Sequence, residues 1–350
     1  MSWFVSLLVL SALIFFHELG HFTVARLMGV YVEVFSIGFG KKLFGFRAFN
    51  TEWRVAAIPL GGYVKMKGQD DADPAAKSPD PDSYNAKKPW QRIAILLAGP
   101  AANFVLAFVL YFAVGLGGPH VYSAVIGKVV ENSPAEQAGL QKGDRILAID
   151  GKPVDEWDTM SESIKKSRGT LMLEVERDHF VLNLAVTPKV SETQNMFRET
   201  VRRPMLGIAP SGETHRLDLG IGDALFYAAD QTWEASKLIF ISIEKLLTGA
   251  VPASELGGVV TIVKITADAS AGGWMSVFFF AALISVNLGV LNLLPIPALD
   301  GGHIMFNLYE MITRRAPSEA ILVKLTIIGW GLLLGLMTLG LYNDINRLMQ

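Results

Sequence analysis

The chain contains no cysteine. That absence excludes a disulfide framework, a thiol nucleophile, a thiolate zinc site and an iron–sulfur cluster. Catalysis, if there is any, must use oxygen, nitrogen or a metal held by His and carboxylates. Charge is scarce too: only 18% of the 350 residues are Asp, Glu, Lys or Arg, against 51% hydrophobic, and the mean hydropathy is +0.36. Soluble domains seldom have that balance, and it points to a membrane. Neither sign of charge dominates, with 31 Lys and Arg against 33 Asp and Glu. Nothing in the overall charge draws the chain to nucleic acid.

Four long stretches are nearly free of ionisable groups. Between Arg92 and His120, between Asp268 and Asp300, and between Lys324 and Asp344 there are none, and from Met1 to Ala25 there are only His17, Glu18 and His21. Each exceeds the roughly 18 apolar residues that mark a spanning helix. The expected fold class is an α-helical membrane protein with four transmembrane helices, at 1–28, 93–118, 272–299 and 325–342. The first stretch lacks the basic start of a signal peptide and is expected to be retained. No Lys or Arg precedes Arg26, whereas the connection 24–92 holds eleven, and 300–321 carries Arg314 and Arg315. Those two connections are therefore expected in the cytoplasm, with both termini and the middle of the chain on the other side.

Between the spans, 29–68 favours strands punctuated by Gly and Asn50, a β-hairpin region on the cytoplasmic side of the membrane. Residues 69–89, rich in Pro, Asp, Ala and Lys, read as a flexible linker. Short β-rich runs over 123–188, with an Asp150-Gly151 turn, predict a small mixed α/β domain outside the cytoplasm. Its segment SPAEQAGLQKGDRILAIDGKPV (133–154) resembles a PDZ domain, which implies binding of extended peptides by strand addition; a rigid filter without ligand is the alternative. The following 189–216 is too short for a second copy and has no assigned role. Residues 217–247 read as an amphipathic helix lying on a surface of lipid or protein.

The chemistry concentrates at HELGH (17–21). On a helix His17 and His21 share one face and can offer two imidazole nitrogens to one Zn²⁺, with Glu18 beside the open position as general base. Ionisable residues inside a span mark function by default. The third ligand must come from near the membrane. The stretch NLGVLNLLPIPALDGGH (287–303) interrupts a helix at Asn292, Pro295 and Pro297 and delivers Asp300 close to the cytoplasmic face; Asp300 is expected ahead of His303. Asn292, Pro295 and Pro297 are candidate substrate-binding positions. Asn103, in the second span, is a candidate for oxyanion stabilisation or for interhelical hydrogen bonding. A strand edge at Gly61, Gly62, Tyr63 and Val64 is expected to pair with unwound substrate backbone, whose amides are costly to leave bare in lipid.

HELGH, IPLGGYVKMKG (58–68), KPWQRIAILLAGPAANF (88–104), the PDZ-like segment, ELGG (255–258) and NLLPIPALDGGH (292–303) occur in that order. In this the chain resembles the site-2 proteases of the bacterial regulator-of-sigma-E protease type, in a form with a single PDZ domain. The resemblance implies an intramembrane zinc endopeptidase of the bacterial inner membrane, with one Zn²⁺ per chain. His17, His21 and Asp300 would be its ligands and Glu18 its base. Its implied partners are the lipid bilayer and single-span membrane proteins, anti-sigma factors or remnant signal peptides among them, already shortened by another protease. Two other classes fit parts of the sequence: a catalytically inactive membrane-anchored PDZ adaptor, for which an intact Glu18 has no use, and a metal transporter, which the bare run from Met1 to Phe16 disfavours.

Overall fold

A computed structural model describes residues 2–69, 78–197 and 199–349; part of the expected linker, 70–77, lies outside the described residues. The chain forms two compact units, one of 1–114, 222–246 and 252–350, the other of 115–221 and 247–251.

The first unit begins with α1 (Ser2–Leu27). Gly29, at φ +71°, ends it, and the N–H groups of Gly29 and Val30 close back on the carbonyls of Arg26 and Ala25. The chain then runs into two long strands, β1 (Val32–Ala48) and β2 (Thr51–Met66). Their turn is Phe49-Asn50, both at positive φ (52° and 59°), the two-residue geometry whose twist suits a hairpin. The strands bend back on themselves. Val34–Ile37 lies between Gly62–Lys65 on one side and Glu52–Val55 on the other, while Lys42–Ala48 pairs with Thr51–Ala56. Residues 62–66 thereby form an outer strand, and among the described residues no further strand pairs with its other side.

The expected linker is not loose where it is described. Ser83 is fully buried, Tyr84 N–H donates to the Lys67 carbonyl, and Tyr31 N–H donates to the Asp82 carbonyl. Lys67 Nζ lies 2.8 Å from both Asp80 and Asp82. The hydrogen bond that Lys67 donates to Asp80, then that to Asp82, raises the Lys67 pKa, and the Lys67 ammonium lowers that of Asp80. Composition identified a segment without a core of its own, but 78–88 is held by the core at the base of the hairpin. The next helix, α2 (Pro89–Gly117), starts a turn before the expected span 93–118. Pro89 suits a first helical position, and the charged Arg92 lies within the helix beyond its apolar stretch.

The second unit holds β3 (His120–Tyr122), β4 (Ile126–Val129), α3 (Pro134–Gln137), β5 (Arg145–Ile149), β6 (Lys152–Pro153), α4 (Trp157–Lys166), β7 (Leu171–Arg177) and β8 (Phe180–Val186). It continues through β9 (Lys189–Gln194), β10 (Thr200–Met205), β11 (Ile208–Pro210) and β12 (Thr214–Arg216). A four-stranded sheet runs β6-β5-β7-β8, and the turn at Asp150-Gly151 has both residues at positive φ, as its sequence predicts. The expected boundary 123–188 is too narrow. β11 pairs with β4, β12 pairs with β3, and Leu206 is buried with Ile126, Ile146 and Met160 in the same core. Residues 189–216 therefore complete this unit, because β3 and β4 find their partners only after the rest of the domain has passed.

The chain re-enters the first unit with α5 (Ile221–Leu247), whose small face (Ala224, Ala228, Ala235) is buried. Ala228 and Ala235 join a core with Ala107, Tyr111, Ala282 and Val286, so the surface on which this amphipathic helix lies is protein on that face. After a 3₁₀ turn (Ala253–Glu255) come α6 (Val259–Ala271), α7 (Trp274–Asn292), α8 (Asp300–Thr313) and α9 (Glu319–Met349). The third span ends at Asn292, not 299, and Asp300 begins a new helix. Pro295 and Pro297 lack the N–H a helix needs and restrict the residue before each of them, so 293–299 cannot continue α7. The last span, expected at 325–342, extends at both ends into polar residues. Among the described residues four helices, α1, α2, α7 and α9, are long and apolar enough to cross a membrane. Their close approaches use small residues, as expected where lipid offers no hydrophobic drive for helix pairing: Gly20 lies against Ala98 and Ala102, Gly289 against Phe104, and Gly329 against Ala298.

Candidate metal centre

HELGH falls in the second half of α1, where helical spacing carries His17 and His21 round to the same side. Their Nε2 atoms are 3.2 Å apart. The first residue of α8 meets them, with Asp300 Oδ2 3.3 Å from His17 Nε2 and 3.4 Å from His21 Nε2. These three residues are the one group of convergent metal-ligating side chains among the described residues. His303, the competing candidate, is not in it, and its ring stands edge-on to Phe306. The reason lies in the start of α8: Asp300 leads the helix, and Gly301 and Gly302 let its first turn sit directly against the Leu293, Leu294 and Ile296 carbonyls.

The donor set fits zinc. A tetrahedral Zn²⁺ bound at about 2.0–2.1 Å by nitrogen and oxygen separates its ligands by about 3.3–3.4 Å. The three sides of 3.2, 3.3 and 3.4 Å match that spacing. Asp300 Oδ2 is buried without a hydrogen-bond partner, an expensive arrangement for a carboxylate unless a cation takes its charge. Two neutral imidazoles and one carboxylate, with a fourth position left over, is the composition of a hydrolytic zinc site.

The candidate ligands are held from behind. His21 is 6% exposed, and its Nδ1 lies 2.8 Å from the Ile95 carbonyl of α2, which leaves Nε2 as the nitrogen turned toward a metal. Gly99 of α2 faces the same ring, and a Cβ there would overlap Nε2 and stand 2.5 Å from Cε1. Asn103, one turn on, is fully buried with its amide 3.0 Å from His17 Nδ1, and its backbone carbonyl accepts from Ser285 Oγ of α7. Of the two roles expected for Asn103, this contact is to a histidine. Ile95, Gly99 and Ser285 escaped the sequence reading, although the run of small residues at 98–102 marks where α2 approaches another backbone.

Glu18 adjoins the strand edge. A Cβ on Gly62 would lie 3.2 Å from Glu18 Cγ and 2.8 Å from Ile14 Cγ2, so the outer strand of the hairpin passes directly over this turn of α1. Phe39 covers Gly61, Tyr63 stacks on Phe39, and the Arg54 guanidinium lies 5.1 Å from the Tyr63 ring. Gly62 thus lies against HELGH, with Gly61, Tyr63 and Val64 beside it along the strand. Asn292 closes α7, and Pro295 and Pro297 lie in the connection to Asp300.

A family profile described as peptidase family M50 matches residues 5–336. The chain belongs to peptidase family M50. This is the site-2 protease family, so the chain is a membrane-embedded zinc metalloprotease, and Zn²⁺ is its metal. A relative from Campylobacter jejuni, described as a zinc metalloprotease, is 44% identical over 348 residues, 99% of this chain and 94% of its own length. One from Helicobacter pylori with the same description is 41% identical over 99% of both chains. Another from Clostridium acetobutylicum is 34% identical over 99% of this chain and 98% of its own. Among solved structures, the HtrA3 PDZ domain bound to a phage-derived ligand is 28% identical over 19% of this chain and 64% of that one, with a TM-score of 0.19.

Proposed function

We propose that this M50 peptidase cleaves transmembrane segments of single-span membrane proteins inside the bacterial inner membrane. In this reading His17, His21 and Asp300 hold one Zn²⁺ and Glu18 is the general base. The observation that carries it is the convergence of two Nε2 atoms and an unpartnered carboxylate oxygen at 3.2–3.4 Å on helices of a membrane protein, with a carboxylate and a free strand edge beside them.

Zinc held there supplies Lewis acidity, polarising a carbonyl and lowering the pKa of water from about 15.7 towards 7. Glu18 takes the proton from the attacking water and passes it to the departing amine, so the amide is cut without a covalent intermediate. Before attack, a helical substrate must be unwound, and each exposed N–H and C=O costs several kcal/mol in lipid unless paired. The outer edge at Gly61–Val64 offers partners for that backbone within reach of Glu18. Asn292, Pro295 and Pro297 precede Asp300 at the end of α7 and in the connection to α8, where irregular backbone is tolerated only if it lines protein or water.

The substrates fitting this arrangement are single-span proteins already trimmed by another protease, anti-sigma factors or remnant signal peptides among them. The metal centre lies towards the cytoplasm, by the basic connection 24–92, and both termini and the second unit lie on the opposite side. The PDZ-like pattern at 133–154 suits that unit to engaging or filtering the extracytoplasmic part of a substrate.

Cleavage of a single-span substrate in detergent by the wild type and by Glu18→Gln, with zinc quantified in both, tests the reading. Activity lost with zinc retained is the expected result. Activity retained in Glu18→Gln overturns the role of Glu18, and a wild type that binds zinc yet cuts no membrane segment leaves the inactive PDZ adaptor as the better account.

A further inference from the structure

Asn103 combines features that helix packing does not explain. It is fully buried in α2, its amide lies 3.0 Å from His17 Nδ1, and its Oδ1 has no hydrogen-bond partner where Nδ2 faces the ring. The neighbouring atoms decide which end of the amide belongs there. His17 Nε2 faces His21 Nε2 and Asp300 Oδ2, both of which are acceptors toward a metal, so as a ligand it carries no proton. The neutral ring then bears its proton on Nδ1, and that N–H needs an acceptor. Nδ2 is a donor and cannot serve; Oδ1 can. The two ends of an amide are alike in shape, so turning Asn103 about its terminal bond places Oδ1 against the ring without moving anything else. The turned Nδ2 takes the buried position that lacks a partner, a smaller loss than a histidine whose proton points at the zinc.

We infer that Asn103 is a positioning residue for the zinc site: its Oδ1 accepts the His17 Nδ1–H, fixing the tautomer and ring orientation in which Nε2 can bind metal. The inference rests on His17 being a ligand, as proposed above. It makes the pair of ligands symmetrical, since the His21 Nδ1–H is held by the Ile95 carbonyl from the same helix. α2 thus orients both imidazoles of α1, one through its backbone and one through a side chain. This role uses Oδ1 and is distinct from oxyanion stabilisation, which would need the Nδ2 donor.

Zinc affinity separates these possibilities without reference to turnover. Asn103→Leu keeps the volume and removes the acceptor, and it is expected to weaken zinc binding about 10–100-fold, the usual cost of losing such a support. Asn103→Asp keeps an acceptor and is expected to hold zinc within about threefold of wild type. In ¹⁵N-histidine-labelled, zinc-loaded wild type, the His17 ring should show its proton on Nδ1, a readout that needs no variant to fold. Unchanged zinc affinity in Asn103→Leu, or a His17 proton on Nε2, overturns the inference. His17→Ala is the control: if it too keeps zinc, the ligand assignment fails, whereas loss in His17→Ala with full affinity in Asn103→Leu condemns the role of Asn103 alone.

Discussion

A single methyl group separates Gly99 from a damaged site. Its Cβ would occupy the space of the His21 ring, whose own Nδ1 is held by the Ile95 carbonyl and cannot swing away without losing that bond. Gly99→Ala is therefore expected to lower zinc affinity by tenfold or more, roughly the effect of losing an orienting contact, with the fold retained. Equilibrium metal titration of the purified protein checks this. The same measurement ranks the carboxylate against the second histidine: Asp300→Ala should lose zinc, whereas His303→Ala, outside the ligand group, should keep it. Full occupancy in Asp300→Ala with loss in His303→Ala would reverse the assignment. Such residues act through position rather than type, which is why HELGH was legible in the sequence and Gly99 was not.

At the scale of elements, the outer strand of the hairpin carries the clearest expectation. In a strand, alternate N–H groups point to opposite edges, so of Tyr63, Val64 and Lys65 one parity bonds β1 and the other faces outward. Proline removes one donor, alanine only a side chain. A proline scan should find Val64, or both its neighbours, to be a position where cleavage falls sharply while zinc content stays normal, with the matching alanine mild. If proline and alanine behave alike at all three positions, backbone pairing by this edge is excluded. In the second unit, Asp144 is 1% exposed and receives Arg177 through Nε and Nη2 at 2.7 Å. Arg177→Met leaves that carboxylate buried without its cation and should destabilise the unit by about 2–3 kcal/mol, below the full cost for a completely buried pair because Arg177 is partly exposed. Limited proteolysis of 115–221 in the intact protein follows it. The Lys67–Asp80 pair gives a pH expectation. The Asp80 pKa is lowered in the fold, so its contribution is complete above the ordinary value of 3.8 and fades as the pH falls through the lower folded value. Hydrogen exchange at 78–88 should quicken selectively in that acid range.

For the whole molecule, the sign pattern of charge and the two-unit division make separate predictions. Single cysteines at Glu156 and Asp80 in this cysteine-free chain should differ toward an impermeant thiol reagent in intact cells. Labelling at 156 alone supports the orientation, and labelling at 80 alone inverts it. Removing the second unit is expected to spare cleavage of trimmed substrates, but only if the cut follows the domain. Deleting 123–188 strands β11 without β4 and Leu206 without its core, whereas replacing about 118–220 by a flexible linker removes the unit entire. A folded, zinc-loaded deletion of the larger kind that no longer cuts trimmed substrates would make the domain part of the catalytic machinery.

Much of this protein was settled by local sequence. Uncharged runs longer than a bilayer core specify spans whatever their neighbours are, and a His-x-x-x-His spacing places two rings on one helical face in any context. Phe49-Asn50 and Asp150-Gly151 take positive φ where the sequence puts turns, although only the second pair announces itself fully. What depended on the tertiary structure was every feature whose cause lies far along the chain. Asp300 joins His17 and His21 because two prolines break a helix nearly three hundred residues later and α8 restarts at that carboxylate. The polar stretch 78–88 is ordered by Tyr31 and Lys67, and 189–216 belongs to a domain because β3 and β4 wait for it. Composition reports what a segment can bury by itself; it carries no record of the partners that folding brings to it.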